Sequence, residues 1–251
     1  MTPIRSSNPA LSEQIFAKSK TSEASQVMTI EGTTNRALLM LLLVVLGALY
    51  TWRLFYQGPD PSSALGWMAV GGIGGFITAL VVIFAPRTAP ITAPIYSVLQ
   101  GLLLGGLSAF IAAEYTGAIV IQAISLTFAT FFLMLLMYRS GTIKATHKFR
   151  RGVFAATGAI AMLYLISFIS RLFGYNMGFI HDGGTLSIII SLVIVGVAAL
   201  NLILDFDFIE RGAAMGTPKH MEWYGAFGLM VTLIWLYIEF LRLLSKLSRR
   251  N

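Results

Sequence analysis

The sequence predicts an all-α integral membrane protein with seven transmembrane helices. Three observations carry that reading. Of 251 residues, 56% are hydrophobic and only 12% are charged, with a mean hydropathy of +0.76. Soluble domains carry about 25% charged residues, so a soluble fold of this composition could not cover its surface with polar side chains. The apolar residues fall into seven runs, each close to the ~20 residues a helix needs to cross a bilayer core. No stretch alternates in polarity as barrel strands do. Lipid leaves free backbone groups unsatisfied, so each run is expected to be helical.

The chain opens on a polar segment, residues 1–33, rich in Ser and Thr (Ser6, Ser7, Ser19, Thr21, Ser22, Ser25). It reads as a flexible cytoplasmic leader with one short amphipathic helix around Leu11–Lys18. It lacks the pattern of a cleaved signal peptide, because the first apolar run begins only at Ala37. Residues 34–251 read as one seven-helix domain. Its runs are Ala37–Trp52, Ala64–Ala85, Ile91–Ala113, Ala118–Tyr138, Val153–Ile169, Leu186–Leu204 and Trp223–Leu244. The first and fifth are short and are expected to borrow flanking residues. Gly58-Pro59-Asp60-Pro61 breaks the chain after the first run, and Pro86-Arg87-Thr88-Ala89-Pro90 after the second. Connections this short make successive helices antiparallel neighbours.

Lys and Arg counts set the expected orientation. With the N-terminus inside, the inner segments hold 12 basic residues and the outer ones 6. The expected location is therefore the cell (plasma) membrane, multi-pass, with a cytoplasmic N-terminus. The net charge of +7 sits beside apolar runs, so the expected partner is the lipid bilayer and not nucleic acid. Aromatic residues at the run ends (Tyr50, Trp52, Trp67, Tyr138, Trp223) suit an interfacial belt. The sequence points to no particular protein partner.

Chemistry is sparse. There is no cysteine, so no disulfide framework, thiolate metal site or cysteine nucleophile. The three histidines, His147, His181 and His220, lie far apart in loops. No enzyme activity, cofactor or firm metal site is expected. The Gly71-Gly72-Ile73-Gly74-Gly75 and Gly101-Leu102-Leu103-Leu104-Gly105-Gly106 stretches read as close helix packing.

The acids are the exception. Glu239 is the one acid inside an apolar run, three residues before Arg242. Asp205 and Asp207 lie just past the sixth run, with Asn201 one turn before Asp205. Gly228, Thr232 and Trp235 share the Glu239 stripe, which makes it a helix-facing one. Asp205 and Glu239 are expected to approach each other and share a proton, since two carboxylates in a low-dielectric site do not both ionise cheaply. For them to meet, helix seven has to start well below the membrane, or helix six has to continue past Asp205 to about Arg211. The competing reading is a local Glu239–Arg242 ion pair. Asp207 and Glu210 read as the solvated end of helix six. Gln100, mid-way along helix three, either lines a pathway or makes one interhelical hydrogen bond.

Two stretches resemble a known family. They are Leu204-Asp205-Phe206-Asp207-Phe208-Ile209-Glu210-Arg211-Gly212 and Leu236-Tyr237-Ile238-Glu239-Phe240-Leu241-Arg242-Leu243-Leu244. With Pro94-Ile95-Tyr96, Gln100-Gly101-Leu102 and Gly105-Gly106-Leu107-Ser108, they resemble the Bax inhibitor 1-like (TMBIM) family. The leader Ser6-Ser7-Asn8-Pro9-Ala10 is similar to that of its bacterial, actinobacterial-type branch. The resemblance implies seven helices with the last in the centre of two three-helix layers. It also implies a proton-sensitive leak of Ca²⁺, with Ca²⁺ and protons as the transported species. Asp205 and Glu239 match the family's pH-sensing acid pair. Two departures stand out: Glu replaces the second Asp, and the stretch between the acids is longer. The leading functional expectation is a pH-sensitive Ca²⁺ leak channel or exchanger. The alternative is a non-conducting membrane interaction protein that modulates a protease or stress-response factor.

Overall fold

The structure is a computed structural model that describes residues 27–58, 60, 62–175, 182 and 184–249. The leader up to residue 26, including the Leu11–Lys18 stretch, lies outside the described residues. Seven long helices form the bundle: α1 (Ile30–Gln57), α2 (Ser63–Phe84), α3 (Ala89–Glu114), α4 (Gly117–Arg139), α5 (His147–Leu172), α6 (Thr185–Ala214) and α7 (Met221–Ser248). A 3₁₀ turn, Pro86–Thr88, precedes α3. All seven are long and apolar enough to cross a membrane. They define an N-terminal face, where α1 begins, and a C-terminal face, where α7 ends.

Helices α1, α2 and α3 pack together on one side, and α4, α5 and α6 on the other. Helix α7 touches α1, α3, α4 and α6 and is the most buried of the seven, so it stands in the centre as the resemblance implied. The glycine motifs set the closeness of the first layer. A methyl on Gly101 would stand 2.3 Å from the Val44 carbonyl oxygen, and one on Gly105 would stand 2.1 Å from that of Ala48. A methyl on Gly71 would meet the Leu99 carbonyl at 2.4 Å. Only glycine permits such backbone approach.

Two boundaries differ from the sequence reading. Helix α1 starts at Ile30, inside the segment read as leader, because Thr29 caps it: its hydroxyl accepts the Gly32 N–H at 2.9 Å. Met28 is buried, its N–H donates to the Thr217 carbonyl at 2.7 Å, and Val27 bridges to Pro218. Residues 27–33 therefore belong to the bundle. Helix α6 runs ten residues beyond Leu204, to Ala214, where Gly216 (φ 63°) turns the chain into α7. The extension carries Asp205, Asp207, Glu210 and Arg211 into the helix.

Candidate functional site

The α6–α7 seam collects the polar groups. On α7 the stripe Gly228, Thr232, Trp235, Glu239, Arg242 and Lys246 repeats at steps of four and three, which holds one face of a helix toward its neighbours. On α6 the facing set is Ser187, Ser191 and Asp205. Because the helices are antiparallel, Asp205 comes level with the first half of α7 and Lys246 with the start of α6.

Glu239 is buried to 1% exposure and heavily served. Its Oε1 accepts from the Tyr164 hydroxyl at 2.8 Å and from Trp235 Nε1 at 3.2 Å. Arg242 Nη1 lies 3.2 Å from Oε1 and 3.4 Å from Oε2. Arg242 also donates to the Tyr164 hydroxyl and stacks over that ring, 4.8 Å from its centroid. Tyr164 thus gives a hydrogen bond to the acid and takes one from the base, closing a three-residue network between α5 and α7. Next along the stripe, Lys246 is buried, and its ammonium donates to the Ser187 carbonyl at 3.2 Å and to Ser191 Oγ at 2.8 Å.

Asp205 stands apart. It is half-buried, and its Oδ2 is enclosed without a hydrogen-bond partner. On α7 the Thr232 hydroxyl faces its carboxyl, and a methyl on Gly228 would lie 3.9 Å from Oδ1. Glu239 is seven residues beyond Thr232, about 10 Å further along the helix at ~1.5 Å per residue. The expected shared-proton contact between Asp205 and Glu239 is therefore absent, although α6 does extend as that contact required. Asp205 meets α7 at Gly228 and Thr232, two turns before Glu239. The Glu239–Arg242 pair is the one that forms.

The supporting residues divide. Asn201 Nδ2 donates to Thr157 Oγ1 of α5 at 2.8 Å and to the Val197 carbonyl at 2.9 Å. Asp207 is buried and not part of a solvated helix end: Arg150 of α5 reaches its Oδ2 at 3.1 Å, and Arg211 pairs with it from the next turn. Glu210 is exposed and accepts from the Tyr138 hydroxyl. Gln100 sits in the α2–α3 contact, where a methyl on Gly75 would meet its Nε2 at 2.6 Å, and it takes no part in the seam.

The sequence reading passed over Tyr164, Lys246 and Glu222. The step of seven from Glu239 to Lys246 was a legible signal, whereas nothing in the sequence marked Tyr164 as facing α7. Glu222, at the start of α7, is completely buried. Its Oε1 accepts from the Thr29 N–H at 3.0 Å and the Thr29 hydroxyl at 2.9 Å, and Arg36 Nη1 lies 2.8 Å from its Oε2. Arg36 also stacks over Trp223 at 5.4 Å.

Two hollows flank these groups. A cavity of about 420 Å³ on the C-terminal face is lined by Glu114, Tyr115, Arg171, Arg242, Lys246 and Arg249 among others. A groove of about 970 Å³ on the N-terminal face is mainly apolar, walled by residues such as Leu38, Phe128 and Phe132. Among the described residues no group of three His, Asp or Glu side chains could hold a metal ion.

The sequence model of Bax inhibitor 1 like proteins matches residues 8–249, almost the whole chain. No curated protein matches it.

Proposed function

The chain belongs to the Bax inhibitor 1 like family, and from that premise we propose that it is a pH-sensitive cation leak, channel or exchanger, passing Ca²⁺ along the α6–α7 seam and catalysing no reaction. The observation that carries the reading is Asp205, whose Oδ2 is enclosed within the bundle with no hydrogen-bond partner. A carboxylate in that position costs free energy until its charge is removed or matched. A proton removes it, and a divalent cation matches it. The two compete for one oxygen, which makes cation passage depend on pH.

Glu239 is the second stop. A cation that reaches it has to displace Arg242, whose side chain is one-third exposed and borders the C-terminal cavity. The geometry supports a relay of two separate acids about 10 Å apart in place of one proton-sharing pair.

The test is Ca²⁺ flux from proteoliposomes at pH 6 and pH 8. Flux is expected to differ between the two, and Asp205→Asn is expected to abolish the difference. Absence of flux at both pH values would leave the non-conducting interaction protein as the better reading. The proposed setting is a plasma membrane with the N-terminus in the cytoplasm. A cysteine at Ser140, in the basic α4–α5 loop, is then labelled by an impermeant thiol reagent only after cells are opened. Labelling of intact cells reverses the orientation.

A further inference from the structure

We propose that the cavity on the C-terminal face is a binding site for a phosphate-type oxyanion. The inference goes beyond the transport reading and does not depend on it. The cavity measures about 420 Å³ and takes cations from the ends of two helices: Arg171 at the end of α5, Arg242 and Lys246 on α7, and Arg249 just past it. Its acids are fewer. Glu114 lies at the rim, its side chain 62% exposed and 3.6 Å from Arg249. Glu239 lies beneath and is engaged with Arg242 and Tyr164. Asp182, in the α5–α6 loop, acts on Arg249 from outside. Positive charge remains in excess around a hollow of ligand size.

The placement of Lys246 is the most informative feature. It lies two residues from the end of α7, where a lysine can extend its ammonium to the interface at little cost. It is instead only 4% exposed, turned inward and oriented by Ser187 and Ser191. Burying an ammonium costs free energy, and a fixed, desolvated cation at a cavity wall is what an oxyanion site requires. Arg171 is exposed and has no ion-pair partner among the described residues. Arg242 lines the cavity while its Nη1 serves Glu239 and Tyr164. Arginine favours planar, paired contacts to phosphate oxygens.

A tetrahedral oxyanion has enough oxygens to meet Arg171, Arg242 and Lys246 together. A carboxylate, with two, would duplicate what Glu114 and Glu239 already supply. Occupancy would also cancel a positive field that opposes cation entry at this end of the seam. The phosphate chemistry has two sources at this level of the bundle, a soluble anion and an anionic lipid headgroup.

The test uses the full chain and reads binding without flux. In detergent, inorganic phosphate is expected to raise the unfolding midpoint by about 2–4 °C over chloride at matched ionic strength. In nanodiscs of phosphatidylcholine with added phosphatidylglycerol, native mass spectrometry is expected to retain the anionic lipid in preference to the neutral one. Response to phosphate assigns a soluble anion, and response to phosphatidylglycerol alone assigns a headgroup. Either upholds the site if Arg171→Gln and Lys246→Met weaken it at least tenfold. Should Lys246→Met fail to fold, the exposed Arg171→Gln decides. No response to either probe, or a response that Arg171→Gln leaves unchanged, overturns the proposal. Binding without any Ca²⁺ flux would refute the transport reading and leave this site standing.

Discussion

Helix α7 carries two completely buried carboxylates, and their surroundings differ in a way that separates structure from function. Glu222, at the N-terminal face, is closed in by the start of α1: a backbone N–H, a hydroxyl and an arginine meet its two oxygens. Glu239 also has an arginine, but that arginine borders the 420 Å³ cavity of the C-terminal face, and one α7 turn after another of polar stripe leads away from it. Between the two levels Asp205 has an enclosed oxygen with no partner. A buried charge that is held by a counter-ion fixes a fold. One that is under-matched leaves room for a proton or an ion to change its state.

The largest effect is expected where the buried charge has a direct counter-ion, Arg36 at 2.8 Å from Glu222 Oε2. Arg36→Met leaves Glu222 buried without its counter-charge, a loss of about 3–5 kcal/mol. Thermal unfolding in detergent should register it as a fall of roughly 6 °C or more. Gly32→Ala should be comparably damaging, since its methyl would fall 2.1 Å from Glu222 Oε1 and 2.6 Å from Thr29 Oγ1. If both variants unfold like the parent, the N-terminal lock is not a lock and the contrast collapses.

Glu239→Gln comes next. The amide still accepts from Tyr164 and Trp235, and the released Arg242 can turn into the cavity. The expected loss is about 1–2 kcal/mol, that of a charge-assisted hydrogen bond. Flux should retain a pH response through Asp205 while changing in rate. A loss as large as that of Arg36→Met would place Glu239 with Glu222 as a structural acid.

The sequence carried the bundle further than it carried the site. Seven runs, their short connections and the glycine motifs are written in local composition, and lipid permits no other solution for such segments. The α7 stripe is equally local, so Glu239, Arg242 and Thr232 were recognisable as one face. What failed was depth. Asp205 was paired with Glu239 because both are acids near the membrane, yet the level at which two antiparallel helices meet depends on where each begins. The lengths of α6 and of its turn into α7 are set by Gly216 and by the packing of Met28 and Thr217. Asp207 failed for a related reason: its burial depends on Arg150, 57 residues away. Tyr164 and Glu222 are matched across long separations that a single sequence does not encode visibly.

Asp205→Asn separates the two accounts of the seam. Its Oδ2 has no partner to lose, and the amide oxygen of Asn can still accept from Thr232, so stability should stay within about 1 kcal/mol of the parent. The pH response of flux should disappear. Combined with Glu239→Gln, the stability changes should add to within about 0.5 kcal/mol, because the residues lie about 10 Å apart and share no partner. A coupling well above that would restore the shared-proton pair and move the acids together.

The smallest expected effect concerns a second glycine beside a carboxylate, and it should have the opposite sign to Gly32→Ala. Gly228 faces Asp205, but a methyl there would stand 3.9 Å from Oδ1, an ordinary contact, with nothing else within 4 Å. Gly228 is inside α7, where glycine costs about 0.5–1 kcal/mol relative to alanine through its extra backbone freedom. Gly228→Ala should therefore raise the unfolding midpoint by roughly 1–3 °C. It should leave the pH response of flux in place, because Asp205 and Thr232 are untouched. The same one-carbon addition thus measures how tightly each acid is held. It is destructive at Glu222, where α1 closes on the carboxylate, and tolerated at Asp205, where space has been left. A destabilising Gly228→Ala would mean that the seam is packed as tightly as the N-terminal lock, and that Asp205 has no room for an arriving cation.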